Sequence, residues 1–250
     1  MSWSWRIFAG AGLLALAAFL VAGVPARVAW TWWGPHGHAL KVSGISGTVW
    51  NGSASRVAFG SGSLGDIRWQ LRPSSLFMLR LGYRFRARLQ QGYINGDAAL
   101  TPSGRLRLDH VEGQSNIGVL GALINAGQIP VRGQVNLQLE TLTWKGGHPT
   151  DAAGRVSVSD VTLDMGGQEV ALGQYRITLG RQGKRIMGNI RDRGGPLQVS
   201  GDASLTPGGL YRVELAITQR QPGSQLHNLL GMLGRPDPGG AYHLRLNGRI

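Results

Sequence analysis

Six histidines, thirteen acidic side chains and no cysteine are the residues with which this chain could do chemistry. The histidines stand apart, at His36, His38, His110, His148, His227 and His243. His36 and His38 form the one close pair, and two imidazoles without a third ligand nearby are a weak metal signal. A polar loop accounts for them better. Asp109 and Glu112 are near enough in sequence to suggest a carboxylate pair. Acid–base work needs two such groups held together with unequal proton affinities, and a solvated turn explains these two as well. The lack of cysteine removes disulfides, thiolate ligands and cysteine nucleophiles together. The sequence has no G-x-S-x-G elbow, no Walker loop and no H-E-x-x-H helix. It predicts no catalytic residue, no metal, no cofactor and no enzyme.

Charge is the next place to look. Lysine and arginine number 26 against 13 acids, a formal net charge of +13. The tightest basic set is Arg84, Arg86 and Arg88, alternating with Tyr83, Phe85, Ala87 and Leu89. Successive side chains of a strand point to opposite faces. The aromatics therefore cannot stack on bases while the arginines neutralise phosphates on the same side. A solvated strand face is the better reading, and no nucleic-acid partner is expected.

The elements that would position these residues fall into two parts. From Ile7 to Val24 the chain is apolar without an ionisable side chain. At 1.5 Å per residue this run reaches about 27 Å, close to the hydrocarbon thickness of a bilayer. Trp3 and Trp5 precede it and Trp30, Trp32 and Trp33 follow, as aromatic belts do at the two interfaces. Pro25 ends it. A cleaved signal peptide is the rival reading, but the run is long for one and Val21-Ala22-Gly23 is only a loose cleavage site. The division expected is a cytoplasmic stub over 1–6, a transmembrane helix over 7–24, a juxtamembrane segment over 25–38 and a periplasmic β-rich domain over 39–250. The location expected is the inner membrane, single-pass, with lipid contact through the N-terminal helix.

Beyond the anchor the pattern has period 2. Tyr83 to Leu89, Val135 to Leu139, Val156 to Val158, Tyr175 to Leu179, Tyr211 to Ile217 and Tyr242 to Leu246 each alternate apolar with polar. Val161 and Leu163 resume the alternation one residue out of phase with Val158, which predicts a bulge between them. Forty glycines punctuate the strands. One wet and one apolar face per strand mark a mainly β fold, a curved and mostly antiparallel sheet. Three stretches read as short helices: Pro73–Leu79, Ser115–Ala126 and Gln225–Leu233. Gly96-Asp97-Ala98-Ala99-Leu100-Thr101-Pro102 is echoed by Gly201-Asp202-Ala203-Ser204-Leu205-Thr206-Pro207. Two related halves would explain the echo, and so would chance among glycine-rich hairpins.

One block carries a resemblance. Gly44, Gly47, Thr48, Trp50, Gly52 and Ala54 are spaced as G-x-x-G-T-x-W-x-G-x-A, and Trp69 and Pro73 lie in the following block Leu64–Leu76. Gly194-Gly195-Pro196-Leu197, Leu233-Gly234-Arg235 and Gly240-Ala241-Tyr242 follow in order. This pattern resembles the type II secretion system protein N family. By themselves the glycines permit tight turns or close backbone approach, and the tryptophans bury large areas. Core tryptophans are the plainer reading. The resemblance implies an accessory inner-membrane component that contributes to export of folded proteins from the periplasm by contacting other secretion components. It carries over no catalytic residue. The alternative is an anchored protein similar to the AsmA-like group, with a β-groove for lipid or another hydrophobic ligand.

Overall fold

The computed structural model describes residues 23–33, 40–59, 62–76, 80–118, 130–164, 167–220, 224–231 and 234–249. Among these residues thirteen strands form one sheet in strict sequence order, every neighbour antiparallel. They are β1 (Leu40–Gly47), β2 (Asn51–Phe59), β3 (Gly62–Leu71), β4 (Leu81–Leu89), β5 (Gly92–Leu100), β6 (Leu106–Asn116) and β7 (Val131–Lys145). The rest are β8 (His148–Asp164), β9 (Glu169–Gln182), β10 (Arg185–Gly194), β11 (Leu197–Leu205), β12 (Leu210–Gln219) and β13 (Tyr242–Arg249). Helices α1 (Ala26–Trp33), α2 (Pro73–Leu76) and α3 (Ser224–Gly231) accompany them. The sheet is open: β1 and β13 each pair on one side only among the described residues.

Register explains why this sequence lies as one sheet. A single cross-strand row runs through Ile45, Ala54, Ile67, Ala87, Ile94, Gly113, Leu137, Val156, Ile177, Ile190, Gly201, Leu215 and Leu244. Every member is apolar or glycine. The adjacent row runs through Ser46, Ser53, Arg68, Arg86, Asn95, Glu112, Gln138, Arg155, Thr178, Asn189, Asp202, Glu214 and Arg245, and every member is polar. A slip of one residue in any strand would exchange the two faces, so the alternation fixes the register strand by strand. Among the described residues no second sheet covers the apolar face. Its Ala87, Val111, Val135 and Leu139 are nonetheless buried.

Bulges bend the sheet. Gly44 has φ +66° and lies beside Ser55, and β3 shifts register between Leu64 and Ile67. His110 and Asp160 adopt φ of 51° and 52°, the left-handed region that histidine and aspartate tolerate better than most residues. Asp160 lies in the register shift between Val158 and Val161, where the broken alternation predicted a bulge. His110 lies between Asp109 and Val111 in β6. This corrects the solvated turn expected for Asp109 and Glu112: both belong to β6 and flank its bulge.

The helices match the expectation in part. α2 covers the first four residues of Pro73–Leu79, and α3 covers most of Gln225–Leu233. Ser115 and Asn116 still belong to β6, because Ser115 pairs with both Gly92 and Val135, and the helical conformation expected from Ser115 begins at Ile117 and Gly118. The stretch from 119 onward lies outside the described residues. So does the expected spanning helix over 7–24, apart from Gly23 and Val24. No helix among the described residues is long and apolar enough to cross a membrane.

Among the described residues a hydrophobic core lies at the C-terminal end. Leu226 and Leu230 of α3 pack on Val170, Leu197, Val199 and Tyr242, with Tyr175, Ile190 and Ile217 around them. The Tyr175 hydroxyl donates to the Leu172 carbonyl. Burial, and then the charge of Asp192, push it up to about 12. The two echoing segments form the same turn. Thr101 N–H donates to Arg105 O and Gly104 N–H to Thr101 O, both at 3.0 Å; Thr206 N–H donates to Leu210 O at 2.9 Å and Gly209 N–H to Thr206 O at 3.0 Å.

Candidate functional site

Five of the residues singled out by the sequence, Gly47, Thr48, Trp50, Gly52 and Trp69, meet at one place, the turn joining β1 to β2. Thr48, Val49 and Trp50 make this turn. Thr48 N–H donates to Asn51 O at 2.9 Å, and Asn51 N–H donates to Thr48 Oγ1 at 3.1 Å. A threonine here closes the turn with its side chain, as Ser and Thr do in local turns. Gly47 enters it at φ +81°, and a Cβ there would stand 2.5 Å from Asn51 O. Only glycine combines that torsion with that space.

Trp69 of β3 lies across the turn. Its Nε1–H donates to Val49 O at 3.1 Å and to Thr48 O at 3.3 Å. The ring passes over Gly52, where a Cβ would meet Trp69 Cζ2 at 2.6 Å. Gly52 is thus the floor for the indole, and Trp69 satisfies two turn carbonyls that β pairing leaves over. Trp50 O accepts from Leu71 N–H at 2.6 Å. The backbone holds the third side: Val49 N–H donates to Val24 O at 3.1 Å, and Pro25 forms a bridge with Thr48. The chain arriving from the N-terminal apolar segment is therefore fastened to the same turn that Trp69 braces.

Pro73 continues this arrangement. It opens α2, where its missing N–H costs nothing and its fixed φ suits a first helical residue. Ser75 Oγ donates to Arg72 O and accepts from Gly82 N–H, tying the short helix to β4. Arg72, unremarked in the sequence, reaches Asp97 Oδ2 at 2.6 Å, and Arg84 reaches Asp97 Oδ1 at 3.4 Å. An acid flanked by two arginines from distant positions gives no local signal in the chain. Gly44 stands apart from the turn, at the bulge of β1.

Chemistry finds little here. Asp109 pairs with Arg107 at 2.8 Å. Among the described residues no group of three or more His, Asp or Glu could hold a metal. His36 and His38 lie outside them. Asp237 accepts from the N–H groups of Gly239 and Ala241 and pairs with His243 at 2.9 Å. The His243 hydrogen bond, then that from Ala241, lower its pKa below the ordinary 3.8. The result is a turn lock before β13.

Residues 38–245 match the family described as Type II secretion system (T2SS), protein N. The chain belongs to that family. Full-length relatives agree with the match. Type II secretion system protein N of Pectobacterium carotovorum is 29% identical over 251 residues, covering 95% of this chain and 94% of that protein. The Aeromonas hydrophila protein of the same name is 26% identical over 247 residues, covering 95% of this chain and 96% of its own. That of Vibrio cholerae is 39% identical over 75 residues, 29% of each chain. No solved structure matches. The family match takes in the braced turn, α2 and almost the whole sheet, so the chain is a component of type II secretion machinery built on this open meander.

Proposed function

We propose that the protein is an accessory, inner-membrane-anchored component of the type II secretion system that works by protein–protein contact and not by catalysis. In this reading residues 1–6 are cytoplasmic, 7–24 span the membrane, 25–38 lie against it, and 39–250 stand in the periplasm. The observation that carries the reading is the open sheet. Among the described residues β1 and β13 offer unpaired backbone edges, which extended segments of other proteins can join. The residues Gly44, Gly47, Thr48, Trp50, Gly52, Trp69 and Pro73 serve to fix the entry of the sheet relative to the anchor. Supporting this, Val49 and Thr48 bond the chain at Val24 and Pro25. The equal turns at Thr101 and Thr206 fit a sheet grown from two related halves.

The test is site-specific photo-cross-linking in envelopes of the source organism, from Lys41 on β1 and Arg245 on β13. Adducts with secretion-system components are expected. No such adduct, together with normal export in a deletion strain, overturns the reading.

The unbroken apolar row favours a second reading, the groove for lipid or another hydrophobic ligand. It ranks lower because α3 already fills the apolar face beside β11 and β13. Co-purification of stoichiometric lipid with the full chain would raise it.

A further inference from the structure

Arginines on β8–β10 form no ion pair among the described residues, although Asp202 and Glu214 line the same cleft as Arg191, and Glu112 and Glu140 the same cleft as Arg155. Arg176 on β9 is the direct cross-strand partner of Arg191 on β10 and of Ser157 on β8. Arg155 lies in the neighbouring polar row on β8, and Arg193 lies two residues beyond Arg191. Like charges directly opposite destabilise a sheet. Among the described residues no carboxylate forms an ion pair with any of the four. The acids on flanking strands do not help: Asp202 accepts from Asn189, Asp192 pairs with Arg220, and Glu112, Glu140 and Glu214 make no ion pair among the described residues. Arg191 spends its Nε on Asn189 Oδ1 at 3.1 Å.

Arg176 is the informative member. Its Nε is buried and has no hydrogen-bond partner. Buried donors without a partner are rare in native structures, and an absent ligand is one explanation for them. Desolvation, then the charges of Arg193 and Arg155, lower its pKa. Arg68 and Arg86 form a second direct arginine pair, on β3 and β4, but neither has a buried orphan nitrogen. The two pairs share charge and differ in desolvation, which separates a held anion from a general field.

We propose that Arg155, Arg176, Arg191 and Arg193 receive the carboxylates of an extended acidic segment of a partner protein. Planar guanidinium groups match carboxylates with paired hydrogen bonds. Ser157, Thr178 and Ser200 on the same face offer hydroxyls to the peptide between them. The cluster lies eight strands from β1, about 40 Å across the sheet at the usual strand spacing. That distance from the entry of the anchored chain favours a protein projecting from the membrane over the membrane's own headgroups. The inference rests on the contact function proposed above and names the chemistry of one contact.

The experiment uses the full chain in nanodiscs of zwitterionic lipid, with a fluorescent hexaglutamate peptide as probe. Saturable binding is expected, weakened about tenfold in Arg155→Gln/Arg191→Gln. Arg68→Gln/Arg86→Gln removes the same charge and is expected to leave the affinity within about twofold. Arg176→Gln is expected to raise the melting temperature, since it relieves repulsion. No saturable binding, equal losses in the two double variants, or displacement of the peptide by phosphatidylglycerol vesicles overturns the inference. So does a lower melting temperature for Arg176→Gln. None of these outcomes bears on the edge contacts, which cross-linking from Lys41 and Arg245 judges separately.

Discussion

The two ends of the sheet solve the same problem by different means. At the C-terminal end, α3 lays Leu226 and Leu230 on the apolar face of β9–β13 and makes a closed core. At the N-terminal end α1 lies against β1 with Ala26 buried, but no helix among the described residues lays leucines on β1–β3. Their order comes from directional bonds instead: Trp69 to the turn carbonyls, Thr48 to Asn51, and Val49 to Val24. Packing tolerates small displacements and rewards area, whereas hydrogen bonds fix a position. The end joined to the expected anchor is the one fixed by position. The far end is the one stabilised by area.

That contrast can be broken by substitution. The largest effect is expected from Leu230→Ala. Leu230 is 2% exposed, so its loss costs about 3 kcal/mol or more, read as a lower midpoint in denaturant. Faster hydrogen exchange should be confined to β9–β13. Trp69→Phe keeps most of the ring and loses the indole donor, at about 1–2 kcal/mol. Exchange should then rise at Val49 and in β1–β2 while α3 is untouched. Gly52→Ala drives a Cβ into Trp69 and should cost about 1–3 kcal/mol, relieved in part by the double variant Gly52→Ala/Trp69→Phe. Thr48→Ala removes one turn bond, at about 1 kcal/mol.

The smallest effect concerns pH. Asp237 has its pKa lowered in the folded protein. Its contribution is therefore present above the ordinary value of 3.8 and is lost as pH falls through the folded value. Exchange at the start of β13 should rise below about pH 4, and Asp237→Asn should abolish that rise. A uniform response of both ends to any of these changes would mean that the sheet is held as one body and the contrast has no energetic content.

Much of this was legible in the chain. Alternation located the apolar and polar rows, and the broken phase after Val158 located the bulge at Asp160. The Gly47-Thr48-Val49-Trp50 block and Gly52 proved to be one turn, with Trp69 supplied by the neighbouring strand. β10 was harder to see, because Gly188 stands in the apolar alternation between Ile186 and Ile190 and weakens it. β6 was hidden by His110, whose bulge shifts the alternation and made Asp109 and Glu112 look like a turn. Partners distant in sequence left no trace: Arg72 with Asp97, and Arg176 against Arg191, exist only through register.

The central claim is that this sheet stays open so that other secretion components can use it. Hydrogen exchange along Tyr242–Arg249 tests it most directly, in the full chain alone and in envelopes containing the assembled system. Alternate amides of β13 are expected to exchange fast in the isolated protein, because their outer side has no described partner, and to become protected on assembly. Protection already present in the isolated chain, or no change on assembly, would contradict the account.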